Sequence, residues 1–453
     1  MKLISTIILH NICGVFSMNI EKRNIPFLAG RFGKTDLYAV PMDRFKTCSV
    51  IVFFSDRLSR ENVTKNSMLP AVLRRGSSKL PDFRQISVKM EQLFGCAFEC
   101  GVSKKGDNQL IYYYIEMVSR DYLPGENNIF GEAIDILFDI ISDPLQENGS
   151  FKQEYVKVEK KSISKIIDAK INDKIQYSVE RCFESMYGIE PFGLYEYGYK
   201  EDMDSIESRN LFDYYIQFMD SRRKTVIITG KFDDMEINSL KSKFAEEKVG
   251  ISGTEKSLFS PVVSLISQKS ENQVIRINEK MDVGQAKLCM GFRTGIMPKD
   301  SLYYPLLVCN SILGGGIHSK LFKNVREKEG LAYYVFSRVE KFKGAMIVAS
   351  GINGEAATKA QELIMEQIKD IAEGKILFDE MDAAIKAIET SIKGIKDNQI
   401  QVADYYYGQS LAEIEDSLDQ AIEKVKDVRP AEISEAASKV ILDTVYLLSG
   451  DNK

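Results

Sequence analysis

Hydrophobic positions in the first quarter of the chain come in short bursts. Residues 37–41 and 47–54 are rich in Val, Ile and aromatic side chains and bounded by polar turns, which predicts two strands. The period then lengthens: 63–75 reads as a helix, 76–81 as a loop, and 82–94 as a second helix ended by Gly95. Residues 96–104 and 109–118 return to strand spacing, joined by a Lys104-Lys105-Gly106-Asp107-Asn108 turn. A mainly antiparallel sheet with helices alongside follows from this order.

From 151 to 186, Tyr155, Val158, Ile163, Ile166, Ile167, Ile171, Ile175, Val179, Cys182, Phe183 and Met186 recur at steps of three and four. That spacing predicts one amphipathic helix, roughly 50 Å long if continuous, or two in line. A further helical piece covers 211–218 and a strand covers 224–230. Between 246 and 272 the composition turns to Ser, Lys, Glu and Gly with Pro261, no period survives, and the segment reads as a linker.

The second half then repeats the first in order and kind. Residues 444–450 answer 225–230, and the helix around Lys386, Ile388 and Ile392 answers the one around Lys161, Ile163 and Ile167. The predicted fold is α+β: two homologous domains, each a mainly antiparallel sheet packed with helices. They span 30–245 and 273–453, with an N-terminal extension at 1–29 and the linker at 246–272.

A chain of 453 residues with 44% apolar and 28% charged side chains can bury two full cores. A net charge of -5 without a dense Lys/Arg tract argues against nucleic acid as a partner. The seven cysteines are scattered, and Cys96 and Cys100 stand four apart rather than at Cys-x-x-Cys spacing. They read as reduced, mostly buried thiols of a cytoplasmic protein. Residues 1–17 are largely apolar, yet His10 and Asn11 interrupt the run and no small-x-small cleavage site follows. The stretch is too short and too polar to span a bilayer, so the expectation is a start at Met18, no signal peptide and no membrane partner.

The most informative stretch runs from 313 to 333. Leu313 closes an apolar helix that opens at 302, and Gly314, Gly315 and Gly316 break it. Leu321, Phe322 and Val325 then share one face of a short basic helix, Gly330 sits at its C-cap position, and alternating aromatics open a strand. The glycines are no phosphate cradle, because they follow a helix rather than a strand and lack a Gly-Lys-Ser/Thr ending. Taken alone, Arg326 would pair with Glu329 or another nearby acid, and Tyr333 would pack in the sheet. A cysteine nucleophile lacks its base, since the only histidines are His10 and His318 and the latter reads as a surface residue at a helix N-terminus.

As a whole, this stretch closely resembles the C-terminal half-motif of the pitrilysin/insulinase-like (inverzincin) zinc peptidases, which include the mitochondrial processing peptidases. With the two-domain repeat, the resemblance extends from about residue 30 to the end. In that family an Arg and a Tyr seven residues apart bind substrate opposite the zinc, and here they match Arg326 and Tyr333. Catalytic members carry His-x-x-Glu-His on the first helix: two histidines four apart hold zinc from one helical face, and the Glu activates water. Arg75-Gly76-Ser77 matches the Lys-Gly-Thr-like turn that follows, so the three chemical positions fall on Ser67, Pro70 and Ala71. None of these can ligate zinc usefully or act as a general base. The third ligand, a Glu on the long helix, would fall near Lys165 or Ile166, and Glu154 and Glu159 on that helix read as solvated charges.

The resemblance implies a non-catalytic, zinc-less subunit of a heterodimeric, bacterial processing-peptidase-like metallopeptidase. It implies no cofactor in this chain, zinc in an active insulinase-like partner, and an extended peptide as substrate. Arg326 and Tyr333 would then act in trans, donating hydrogen bonds to the substrate carbonyl or its oxyanion. The chain is most similar in general character to the bacterial pseudo-peptidases encoded beside an active partner, one group of which is associated with modification of elongation factor P. The rival expectation is a scaffolding or peptide-binding protein of the same fold with no role in catalysis.

Overall fold

The computed structural model describes residues 27–125, 128–245 and 274–450. The expectations for residues 1–17, His10 and the 246–272 linker lie outside the described residues. The first half contains β1 (Phe27–Phe32), β2 (Thr35–Pro41), β3 (Thr47–Arg57), β4 (Ala97–Lys105), β5 (Asn108–Val118), a small hairpin of β6 (Gln146–Glu147) and β7 (Ser150–Phe151), and β8 (Lys224–Gly230). Among the described residues regular structure begins with β1 at Phe27. The second half contains β9 (Ile275–Lys280), β10 (Ala286–Arg293), β11 (Ala332–Glu340), β12 (Ala345–Ile352) and β13 (Ile441–Ser449).

The two large sheets share one topology. The first runs β1-β2-β8-β3-β5-β4 and the second β11-β12-β10-β13-β9. With β1 set aside, each half orders its own strands as first, last, second, fourth, third. In each, only the first and last strands pair in parallel. This is the repeat expected from the sequence, now visible as identical strand order.

Helices fill the gaps between strands: α1 (Val63–Leu73), α2 (Phe83–Gln92), α3 (Ile129–Ser142), α4 (Gln153–Ala169), α5 (Lys174–Tyr187), α6 (Lys200–Met203), α7 (Ser208–Ser221) and α8 (Asp234–Phe244) in the first half. The second half has α9 (Tyr303–Gly314), α10 (Ala357–Ala372), α11 (Phe378–Ile395), α12 (Gln399–Leu411), α13 (Leu418–Lys426) and α14 (Pro430–Ser438). Each sheet packs one face on its own helices. Val50, Val52 and Phe54 meet Met68, Leu137, Ile163 and Leu211 in one core. Leu288, Met290 and Phe292 meet Leu306, Ile364 and Ile433 in the other.

Of the two alternatives for 151–186, one helix or two, the structure has two. A 3-10 turn at Lys170–Asn172 ends α4, and the Asp173 carboxylate starts α5 by accepting from the backbone N–H groups of Ile175 and Gln176, both at 3.0 Å. The division matters because the two pieces serve different cores. Whereas α4 stays on the first sheet, α5 carries Val179, Cys182, Phe183 and Met186 to the far face of the second, against Cys289, Ile347, Tyr446 and Leu448. In return, α12 lays Val402, Ala403 and Tyr407 on the far face of the first, against Val40, Ile51, Phe53 and Ile227. Side chains alternate across a strand, so covering both faces explains why 50–54 is apolar without a break.

Candidate functional site

Ser67, Pro70 and Ala71 all lie on α1, and the four-residue step from Ser67 to Ala71 keeps those two on one helical face. The Ser67 hydroxyl is already committed: Oγ lies 2.9 Å from the carbonyl oxygens of both Thr64 and Tyr197. Pro70 sits inside the helix, lacks an N–H, and is buried. Its carbonyl oxygen accepts from the Cys100 thiol at 3.3 Å. Residues 195–199 cross directly over α1. Gln109 Nε2 ties the crossing down by donating to the carbonyls of Val63 (3.0 Å) and Glu196 (2.6 Å), and the Tyr199 N–H donates to Thr64 Oγ1 at 3.1 Å. Gly198, at φ +80°, comes so close that a Cβ there would stand 2.1 Å from Thr64 Oγ1.

Glu159 corrects the expectation of a solvated charge, for it is 1% exposed. Its carboxylate accepts from Nε of Arg75 and pairs with a second nitrogen of the same guanidinium. The reason is that α4 packs against α1, and a carboxylate turned into that seam survives only with a charged, hydrogen-bonding partner. Glu154 does point to solvent, as do Lys165 and Ile166. Hydroxyl, proline and alanine are not zinc donors, and the nearby acid is taken by an arginine, so these residues do not fit a zinc ion. Among the described residues no group of three or more His, Cys, Asp or Glu side chains could hold a metal ion.

The 311–340 segment is built differently. Gly314 approaches β11 so closely that a Cβ would meet the Ser337 backbone nitrogen at 2.5 Å, which accounts for glycine at the end of α9. Ser319 starts the next turn, its Oγ accepting from the Phe322 N–H at 3.3 Å and donating to the Gly316 carbonyl at 2.6 Å. Residues Phe322–Lys328 then wind as a π-helix rather than the expected ordinary one, a rare geometry that recurs at functional sites. Leu321 and Val325 sink into the second core. Gly330, at φ +62°, ends the turn. His318 is half-buried, with Nε2 3.4 Å from Ser311 Oγ.

Arg326 lies on this π-turn with its side chain 41% exposed. Its guanidinium stacks 4.6 Å from the Phe322 ring centroid, and its Nε stands 3.8 Å from the neighbouring Glu327 carboxylate. Of the acids expected beside Arg326, Glu327 is thus the one it meets, whereas Glu329 is engaged by Lys359 at 2.7 Å, which holds its carboxyl below the usual range. Tyr333 does not pack in the sheet. The β11–β12 register pairs Ala332 with Ile352 and then Tyr334 with Gly351, leaving Tyr333 as the extra residue of a β-bulge and 72% exposed. Sequence reasoning singled out Arg326 and Tyr333 but passed over Lys320 and Asn324, whose four-residue spacing puts both on one side of the turn. A lysine directly before the buried Leu321 was the available signal.

A family model described as "Peptidase M16 inactive domain" matches residues 205–388. The "Probable inactive metalloprotease YmfF" of Bacillus subtilis (strain 168) is 30% identical over 428 residues, covering 93% of this chain and 97% of its own. The "Uncharacterized zinc protease YmxG" of the same organism is 23% identical over 278 residues, covering 60% of this chain and 64% of its own. Among solved structures, a conserved protein from Enterococcus faecalis V583 superposes with TM-score 0.83 at 26% identity, over 95% of this chain and 99% of that one. A peptidase M16 inactive domain from Pseudomonas fluorescens shares the fold at TM-score 0.73 and 15% identity, over 93% and 97%.

Proposed function

The chain belongs to the peptidase M16 family, the pitrilysin/insulinase-like metallopeptidases, as a member that is non-catalytic on its own; from that premise we propose that it is the zinc-less subunit of a two-chain peptidase. In this reading an active M16 partner holds the zinc, and this chain lends Arg326 and Tyr333 to the peptide bound there. The observation that carries the reading is the β-bulge at Tyr333. It expels a phenol from a strand whose neighbours all pair, and the phenol stays exposed. Arg326 keeps only local partners, the Phe322 ring and a 3.8 Å pairing with Glu327, while Lys359 takes Glu329, and its side chain stays 41% exposed. A guanidinium and a phenol held this way can both donate to the carbonyl oxygen of an extended peptide and to the negative charge it gains under attack.

No helix among the described residues is long and apolar enough to cross a membrane. Cys48, Cys96, Cys182, Cys289 and Cys309 are buried and unpaired, and burial pushes the Cys96 thiol up to about 12, so it is inert at neutral pH. Free buried thiols of this kind support placing the chain in a reducing, cytoplasmic compartment.

The test is to combine the full chain, or its Arg326→Ala and Tyr333→Phe variants, with the active partner, and to follow peptide cleavage beside the amount of complex formed. Losing one donor aimed at a developing oxyanion costs about 2.7–4 kcal/mol, so turnover should fall roughly a hundred- to a thousandfold with assembly intact. Full activity in both variants would make this chain a scaffold.

A further inference from the structure

Two residues before the π-turn, Lys320 makes an ion pair with Glu380 at the start of α11, its Nζ 2.9 Å from one carboxylate oxygen and 3.2 Å from the other. Both residues are buried, at 7% and 6% exposure. Glu380 is itself fixed, because its Oε2 also accepts from the Leu377 N–H at 3.1 Å. One helical step further on, Asn324 Nδ2 donates to Oε1 of Gln367, a buried residue of α10. The short stretch carrying Arg326 is thus anchored by two polar side chains to two different helices, while Leu321 and Val325 hold it to the core.

Stability alone does not ask for this arrangement. A buried ion pair is often no better than two apolar side chains of the same volume, because desolvation offsets the attraction. What such a pair adds is direction. Apolar contacts at Leu321 and Val325 tolerate rotation of the turn about its axis, whereas a lysine that must reach one carboxylate does not. A π-turn has greater need of that constraint than a regular helix, since it is rare and occurs mostly as a single irregular turn.

We infer that Lys320 and Glu380, assisted by Asn324 and Gln367, are positioning residues: they fix the rotation of the π-turn so that Arg326 projects from it and the chain re-enters the sheet at the Tyr333 bulge. The inference rests on the reading of Arg326 given above and adds the residues through which the fold aims it.

The test uses the full chain with Lys320→Met, and with Lys320→Met combined with Glu380→Gln, which leaves no buried charge and keeps an acceptor for the Leu377 N–H. In the chain alone, backbone amides of 322–331 should exchange hydrogen at least about tenfold faster, with α10 and β12 unchanged. Unaltered protection of 322–331 would overturn the inference. In the complex with the active partner, kcat should fall about ten- to a hundredfold with KM little changed, the scale expected of a misplaced group. The fall should vanish when the same changes are made on top of Arg326→Ala. An equal fall in that background would make the pair a general structural element and overturn the inference. If Arg326→Ala is impaired but both Lys320 variants are fully active, this inference alone fails; if Arg326→Ala is fully active, the reading of Arg326 fails with it.

Discussion

Glu159 and Glu236 are both carboxyl groups taken out of water, and they solve the problem in opposite ways. Glu159 takes the Arg75 guanidinium as its partner. Glu236 sits in the capping box of α8, where its Oε2 accepts from the Asp233 N–H at 3.0 Å beside the Asp233 carboxylate. Burial first, and the Asp233 carboxyl second, push Glu236 from 4.5 up to about 7. An acid whose folded pKa is raised binds more protons folded than unfolded. Its contribution is therefore present below about 4.5 and is lost as pH rises to about 7. Urea midpoints of the parent should fall between about pH 5 and pH 8, and Glu236→Gln should flatten that fall. An identical decline in both would refute the assignment. None of this was legible beforehand, because an acid in the first turn of a helix reads as an ordinary exposed cap.

At the scale of elements, the crossing of 195–199 over α1 covers the part of the helix that carries Thr64 and Ser67. Gly198 makes the crossing possible. A side chain there would adopt φ +80° and drive into the Thr64 backbone, with Cα 2.6 Å from the new Cβ. Left-handed strain of about 1–2 kcal/mol and overpacking of about 1–3 kcal/mol both apply, so Gly198→Ala should destabilise by at least about 2 kcal/mol in urea unfolding. Gly95, at φ +75° with open space around it, is the control, and Gly95→Ala should cost only the backbone part. Equal effects would show that the crossing does not press on α1. Strands and helices were readable from period, as at 47–54 and 63–75. The π-turn was not, because Leu321 and Val325 show the same apolar spacing in an α-helix. That 151–186 could be two helices in line was open from the start, but the position of the break at Lys170–Asn172 was hidden for a similar reason: Ile167, Ile171 and Ile175 keep helical spacing straight through it.

At the scale of the whole molecule, the two halves exchange helices. With α5 on the second sheet and α12 on the first, neither half keeps both faces of its sheet covered when alone. Lys343, with a side chain 1% exposed, adds a polar tie from the β11–β12 turn to Asp107 at 2.8 Å and Glu190 at 3.3 Å in the other half. Unfolding should therefore be one cooperative transition, with calorimetric and van't Hoff enthalpies agreeing within error. Two separable transitions would mean that the exchange is not what holds the halves together. The sequence by itself determined the repeat, the α+β class, and the want of zinc-binding side chains at Ser67, Pro70 and Ala71, since these depend on residue type and local period. It also singled out Arg326 and Tyr333 through the motif they share. Only the tertiary structure decided that Glu159 is buried, that Tyr333 bulges out of its strand, that Lys320 reaches Glu380, and that α5 serves the opposite sheet. Each of these depends on which surface lies across from a side chain, and apolar spacing records that a face is buried without recording against what.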